Sequence, residues 1–352
     1  MFFLKNFFCA AGFLLLAAGC STPEPVLERF DASRLAPPEV VRERAEQLRR
    51  SLAPCRIRAV AMTADKFYRK DAAAPGELIE RIRLFGFNRI YLVLENENAL
   101  DDQLVSFMRA AGAAGLPVEP VIRQADFRYS YHGNAIVRSF RSEGMTLPKM
   151  AMALVEFNRK LPEGAKFAGV TVAMAPHLFT IVNVNRPKNL LYAWSDKTWG
   201  PGLDNDMMMK ETISELKRLF SILAPLPMTV SVPDFYHELA LQKKLSVGEI
   251  NDFLAIQRPR PVVLLQDGGN KPSEALAAVS GELAAAKIAD SVVVGINLAN
   301  HTSVTEGAFR RRNWQDFNRA MGYLVKKWKE FPSFAGVAVG PFLRLELIQE
   351  EE

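Results

Sequence analysis

Apolar and polar positions alternate along the chain in two periods that take turns. Eight short β-rich runs lie at 57–62, 89–94, 118–122, 170–174, 228–232, 262–265, 292–296 and 337–339. Between them the apolar residues recur at helical spacing. Leu104, Phe107, Met108 and Ala111 follow i, i+3, i+4, i+7; Met150, Leu154, Phe157 and Leu161 share one face, as do Trp314, Phe317, Met321, Leu324 and Trp328. Start signals agree, with Ser246 and Glu249 as a capping box and Thr146 ahead of Pro148 in a first turn. Strands that are apolar throughout, alternating with amphipathic helices, call for a parallel sheet covered by helices. Eight such units over about 300 residues predict an α/β fold, a closed (β/α)8 TIM-type barrel.

Before the first strand, residues 39–52 read as a charged helix with a thin apolar stripe at Val40, Val41, Ala45 and Leu48. The sequence ends soon after the eighth strand, so this helix is expected to replace or supplement the last helix of the ring. Further upstream, Pro23, Pro25, Pro37 and Pro38 among polar residues fit a tether. Residues 1–20 combine one Lys, an apolar run from Phe7 to Leu16 and small residues before Cys20, the features of a secretory signal. That run is too short to cross a bilayer. Leu16-Ala17-Ala18-Gly19-Cys20 resembles the bacterial lipobox, which implies that Cys20 is acylated (palmitate-type chains) and becomes the mature N-terminus. Several acyl chains on one residue anchor stably where a single chain binds only marginally. The expected organisation is a signal peptide over 1–19, a lipidated tether and helix over 20–54, and one barrel domain over 55–352. Ser21 after the Cys resembles the pattern that directs a lipoprotein to the outer membrane of a diderm cell, on its periplasmic or surface face.

Charge and chemistry narrow the picture further. The 352 residues carry 44 Lys and Arg against 39 Asp and Glu, a net charge of +5 spread along the chain. That is a weak signal for nucleic acid, and none is expected as partner; anionic lipid or polysaccharide is the more natural attraction for an exported chain. With Cys9 removed in the signal and Cys20 acylated, Cys55 is the one remaining thiol, so no intramolecular disulfide can form. A lone Cys at a strand start reads as a small core residue. No HExxH, CxxC or glycine-rich phosphate loop occurs, and the four His residues (His132, His177, His237, His301) lack a metal-ligand spacing, so neither metal nor cofactor is expected.

In a (β/α)8 barrel the site lies at the C-terminal ends of the strands. The residues at those ends are Asp65, Glu95 with Glu97, Asp126, His177, Asp234 with Tyr236 and His237, Asp267, and Asn297 with Asn300. They are the candidate ligands, although Asp and Asn at strand ends also cap helices and close turns. Five of the seven Tyr (Tyr68, Tyr129, Tyr131, Tyr192, Tyr236), and Trp194 and Trp199 of the four Trp, fall after strand ends, where sugar-binding clefts place flat apolar platforms. Trp194 and Trp199 lie in the long connection 178–204, where they either contact a ligand or pin the loop to the barrel.

The stretch 167–177, FAGVTVAMAPH, resembles the fourth-strand pattern F-D-G-[IV]-x-[LV]-D-x-E-P-H of glycosidase-like (β/α)8 proteins of bacterial envelopes. Gly169, Val170, Val172, Pro176 and His177 match; Ala168, Ala173 and Ala175 stand where that family carries carboxylates. A second stretch, 331–342 (FPSFAGVAVGPF), resembles the family's last strand, with Gly340 and Pro341 in place of a His pair. The resemblance implies the barrel fold and a sugar site. Hydrolysis needs a pair of carboxyl groups flanking the bond, so the missing acids imply a catalytically degenerate barrel, a pseudoenzyme that binds carbohydrate or an envelope protein partner. Two alternatives stay open: an active glycoside hydrolase using a displaced pair drawn from Glu95, Asp234 and Asp267, or a non-catalytic envelope scaffold.

Overall fold

The computed structural model describes residues 36–63, 74–94, 99–123, 127–132, 135–140, 147–173, 180–181, 205–224, 226–233, 254, 256–257, 262–266, 272–286, 288–298, 313–346 and 348. In chain order the strands are β1 (Ile57–Thr63), β2 (Arg89–Leu94), β3 (Val118–Arg123), β4 (Phe127–His132), β5 (Ala135–Phe140), β6 (Val170–Ala173), β7 (Thr180–Ile181), β8 (Met228–Pro233), β9 (Val262–Gln266), β10 (Val292–Asn297) and β11 (Phe334–Gly340). The helices are α1 (Pro38–Leu52), α2 (Pro75–Leu84), α3 (Asp102–Ala113), α4 (Leu147–Lys160), α5 (Asn205–Ile222), α6 (Pro272–Ala285), α7 (Trp314–Trp328) and α8 (Phe342–Glu346).

Eight strands close into one barrel in the order β1-β2-β3-β6-β8-β9-β10-β11, and β11 returns to β1. Every pairing around the ring is parallel, and closure is made in the register Ile57↔Gly336 and Ala59↔Ala338. The predicted (β/α)8 fold is therefore the observed one, and each of the eight predicted runs falls on a barrel strand. The last strand is longer than its predicted 337–339, because Phe334 already pairs with Val292.

Strand parity divides the buried residues into two layers. Val60, Ile90, Leu92, Ile122, Val172, Val230, Val294 and Val337 face outward against helix residues such as Leu104, Phe107, Met108 and Leu154. Ile57, Ala59, Tyr91, Val93, Val121, Val293 and Ala338 fill the barrel. The helix faces read from the sequence are those that are buried: Trp314, Phe317, Met321, Leu324 and Trp328 on α7 are each 1 % exposed or less. Burial of such side chains is worth roughly 1.5–3 kcal/mol apiece. Asp101 and Asn313 cap α3 and α7, accepting from the Leu104 and Asp316 amides at 2.9 and 2.8 Å.

Helix α1 takes the place expected of a last ring helix. Ala45, Leu48 and Leu52 belong to the same core as the barrel wall, while Val40 and Val41 are half-buried. Trp314 Nε1 donates to Gln47 Oε1 at 2.7 Å and Ser51 Oγ to Asn318 Oδ1 at 2.8 Å, fixing α1 alongside α7. The Arg44 guanidinium lies 5.4 Å from the Trp314 ring centroid and donates to the Ile348 carbonyl at 2.7 Å. Across α1, Arg81 grips the buried Glu346 with both guanidinium nitrogens. Phe342 meets Phe85 and Phe87 edge-on, at 5.9 and 6.4 Å. The segment after β11 is thereby locked onto α1 and α2.

Two features depart from the sequence reading. The connection after β3 holds an antiparallel hairpin, β4 with β5, joined by β7 into a three-stranded sheet outside the barrel. Tyr129 and Tyr131 thus lie in a strand. The alternation in FRYSYH and AIVRSF around Gly133-Asn134 is the signal that marks such a hairpin. The barrel strands are also not apolar throughout: Glu119, Thr171, Thr229 and Ser231 are buried within them.

Candidate functional site

Parallel strands give the barrel two unlike ends. The described strands reach the C-terminal rim at Thr63, Leu94, Arg123, Ala173, Pro233, Gln266, Asn297 and Gly340. In the chain, Asp65, Glu95, Asp126, His177, Asp234, Tyr236 and Asp267 come after six of these ends. They lie outside the described residues, as do Trp194, Trp199 and Cys20, and so does any separation between Glu95, Asp234 and Asp267. Of the expected ligands, Asn297 is described: it closes β10 opposite Gly340, at the parity of the inward-packed Val293.

Two rim positions belong to the motifs that resemble a sugar-processing barrel. Ala173 ends β6 in register with Arg123 on one side and Ser231 on the other, at the parity of Thr171 inside the barrel. The place where the related pattern carries an acid is thus a rim position at inward strand parity, occupied in this sequence by alanine. Gly340 is set by packing. A Cβ there would stand 2.6 Å from the Ala61 Cβ and 2.7 Å from the Ala61 carbonyl oxygen, so a His would force β1 and β11 apart. Gly169, a residue that does match the pattern, is also sterically required, because its Cβ would meet the Pro227 carbonyl at 2.7 Å.

Among the residues whose side chains are described, the buried charge inside the barrel sits at the opposite end. Glu119, the second residue of β3, is 2 % exposed. Its carboxylate accepts from Arg89 Nη1 on β2, from Thr229 Oγ1 on β8 at 3.0 Å and from Thr171 Oγ1 on β6 at 3.3 Å. Burial pushes the Glu119 carboxyl above its ordinary range, against the pull of Arg89 and the two hydroxyls. The Tyr91 hydroxyl beside it is buried with no partner in hydrogen-bonding geometry. Burial and the Glu119 charge both raise its pKa, while Arg89 and Thr229 act in the other direction. The sequence reading missed this cluster, whose signal was polar residues at inward parity in otherwise apolar strands.

The cluster ties β2, β3, β6 and β8 together at the end where strands begin, the end associated with stability in this architecture. It offers one carboxyl group, whereas glycoside hydrolysis needs two. Among the described residues no group of three His, Cys, Asp or Glu could hold a metal ion. The Cys55 thiol is buried and its pKa is pushed up to about 12 by that burial, over the opposing fields of Arg58 and Lys329. It packs in the core rather than acting as a nucleophile. No described helix is long and apolar enough to cross a membrane.

The class these observations define is a closed parallel (β/α)8 barrel. No protein-family model matches the chain, and no curated protein matches it. Among solved structures the chain is similar to the intracellular xylanase of Thermoanaerobacterium saccharolyticum, at 12% identity over 84% of this chain and 89% of that one, with a TM-score of 0.43. It is also similar to a GH5_18 protein from Streptomyces cattleya solved in complex with GlcNAc, at 14% identity over 78% and 80%, TM-score 0.42. A third similar structure is 3-keto-D-glucoside 4-epimerase from E. coli, at 10% identity over 84% and 93%, TM-score 0.40.

Proposed function

We propose that this chain is a lipid-anchored barrel of the bacterial cell envelope that binds a glycan at its C-terminal rim without cleaving it. The observation that carries this reading is Ala173, an interior rim position at the end of β6 where the resembling family places a carboxylate. A methyl group neither protonates a leaving oxygen nor activates water. The crowding of Gly340 against Ala61 supports it further, because no His fits there to take up the chemistry. The residue types beyond the strand ends suit holding a sugar: Trp194, Trp199 and Tyr236 for ring faces, and Asp65, Glu95, Asp126, His177, Asp234, Asp267 and Asn297 for hydroxyls. Anchoring rests on the lipobox-like stretch ending at Cys20, and the outer membrane on Ser21 after it.

The test is a glycan array probed with the Cys20→Ser chain, run beside a hydrolysis assay on each glycan bound. Binding without turnover is expected, and Trp194→Ala or Trp199→Ala should weaken it by about 1–3 kcal/mol. The rival enzymatic reading draws on Glu95, Asp234 and Asp267, which come directly after β2, β8 and β9. Turnover abolished by changing any of them would establish it in place of the degenerate one. An array without binding would favour a scaffold that holds an envelope protein partner.

A further inference from the structure

The outer surface at the floor of the barrel, the end where its strands begin, carries cations that contacts join into one sector. Helices α1 and α7 pack side by side through Gln47 with Trp314 and Ser51 with Asn318, and a Cβ at Gly322 would stand 3.4 Å from the Ser51 hydroxyl. Lys326 follows Gly322 by one turn on the same helix face, and Lys329 closes the helix. Lys329 lies near enough to the Cys55 thiol to act on it electrostatically, as does Arg58. Arg58 in turn donates to the Gly86 carbonyl at 2.9 Å, and the Arg49 side chain packs over Gly86. Arg56 extends the arc to β10, donating to the Asp290 carbonyl at 2.8 Å.

Cations gather at helix C-termini because the dipole favours them there, which accounts for Arg50, Arg83 and Lys327. Each of these is offset by a neighbouring carboxylate, Glu46, Glu80 and Glu330 in turn. Arg49, Arg56, Arg58, Lys326 and Lys329 make no ion pair among the described residues, and Arg56 and Arg58 belong to no helix end. Five such cations beside the single carboxylate of Asp290 are a local excess comparable to the net charge of +5 of the whole chain. Tyr323, one turn before Lys326 and Lys327 on α7, is 48 % exposed and lies within electrostatic reach of Lys327. A lone exposed ring needs no explanation, but beside an arc of cations it adds a flat apolar face. We propose that this sector binds an acidic polysaccharide, with the polymer's carboxylates on the Arg and Lys side chains and a sugar ring against Tyr323. A linear polymer suits an arc of exposed, flexible cations, whereas a folded protein partner needs an apolar centre, and Met152, Ile256 and Tyr323 are scattered singly over the described surface. The sector stands at the opposite pole from the rim, and it does not depend on whether the rim holds a glycan.

The test is titration of the full chain, in micelles of a non-ionic detergent, with polygalacturonate at about 0.15 M salt, where exposed charges act over roughly 8 Å. Binding that weakens as salt rises is expected, and its absence in the parent chain overturns the site. Arg49→Ala, Arg56→Ala, Lys326→Ala and Lys329→Ala together should weaken binding roughly tenfold, because each exposed pair contributes little alone. Removing Arg42, Arg109, Lys217 and Arg218 instead, exposed cations elsewhere on the barrel, should weaken it less than about threefold. Equal losses would mean that net charge alone attracts the polymer, and would overturn the site. Urea unfolding of each set is compared with that of the parent; should the first set not fold, Lys326→Ala with Lys329→Ala is read against Lys217→Ala with Arg218→Ala by the same criterion. Tyr323→Ala should lower affinity for polygalacturonate about threefold and leave that for polyphosphate, which has no rings, unchanged. The same effect on both polymers, or tighter binding of polyglutamate than of polygalacturonate, overturns the polysaccharide as occupant.

Discussion

In the half of the barrel where its strands begin, Arg89, Glu119, Thr171 and Thr229 from four strands share one buried carboxylate. In the half where they end, the described contact is that of Gly340, with no side chain, against the methyl group of Ala61. The working end of a (β/α)8 barrel is the C-terminal one, so the strongest charge constellation among the described residues stands at the end reserved for stability. A buried ion pair is costly to desolvate and is held by geometry, whereas a binding rim must stay open. The lesson is that the presence of Glu, Arg and Tyr inside a barrel says little until their depth along the strands is known.

The contrast can be broken most directly at the floor. Glu119→Ala strands the Arg89 guanidinium against a wall of Thr hydroxyls and should cost about 3–5 kcal/mol in urea unfolding, nearer the lower figure because Arg89 is partly open to water. Arg89→Met combined with Glu119→Leu should recover most of that loss; no recovery would mean that the pair itself drives folding. At the rim, Gly340→Ala pushes a methyl into Ala61 and should cost about 1–3 kcal/mol by the same measurement. A neutral result would show that β1 and β11 have slack and that the rim once had room for a larger residue.

A smaller effect comes from the raised Glu119 carboxyl. Between the ordinary carboxylate value and the higher folded one, the native state binds more protons than the unfolded chain. Stability is then full below that window and declines as pH rises through it, by at most about 1.4 kcal/mol per pH unit. Glu346, also raised by burial, adds to the slope. Glu119→Gln should flatten it in part, and an unchanged slope would place the titration elsewhere. The smallest change is expected for Ala173→Asp, less than about 1 kcal/mol, which is what the proposed open, glycan-binding rim requires. A loss as large as that of Glu119→Ala would erase the contrast between floor and rim.

Much of the fold was legible in the sequence because it depends on local periodicity. The runs at 89–94 and 228–232 fell on β2 and β8, and the faces of α3 and α7 were marked by residues three and four apart. The hairpin β4–β5 carried a local signal too, the alternation around Gly133-Asn134, but one masked by its place inside a long connection between barrel strands. The floor cluster went unread for a deeper reason: Glu119 looks like a surface residue in VEPVI, and its partners are 30, 52 and 110 residues away in sequence. The site expected at the strand ends lies largely outside the described residues, and there the residue types carry the argument.

By itself the sequence determined the eight strands, the apolar helix faces and the small residues of the two barrel motifs, since each depends on spacing and side-chain size along a few consecutive positions. Only the tertiary structure decided at which end of the barrel the buried Glu119 cluster stands, that α1 completes the ring beside α7, and that Gly169 and Gly340 are required by neighbouring carbonyls. These depend on closure, which brings β11 back to β1 and sets strands far apart in sequence at the same depth, and no local pattern of residues encodes that depth.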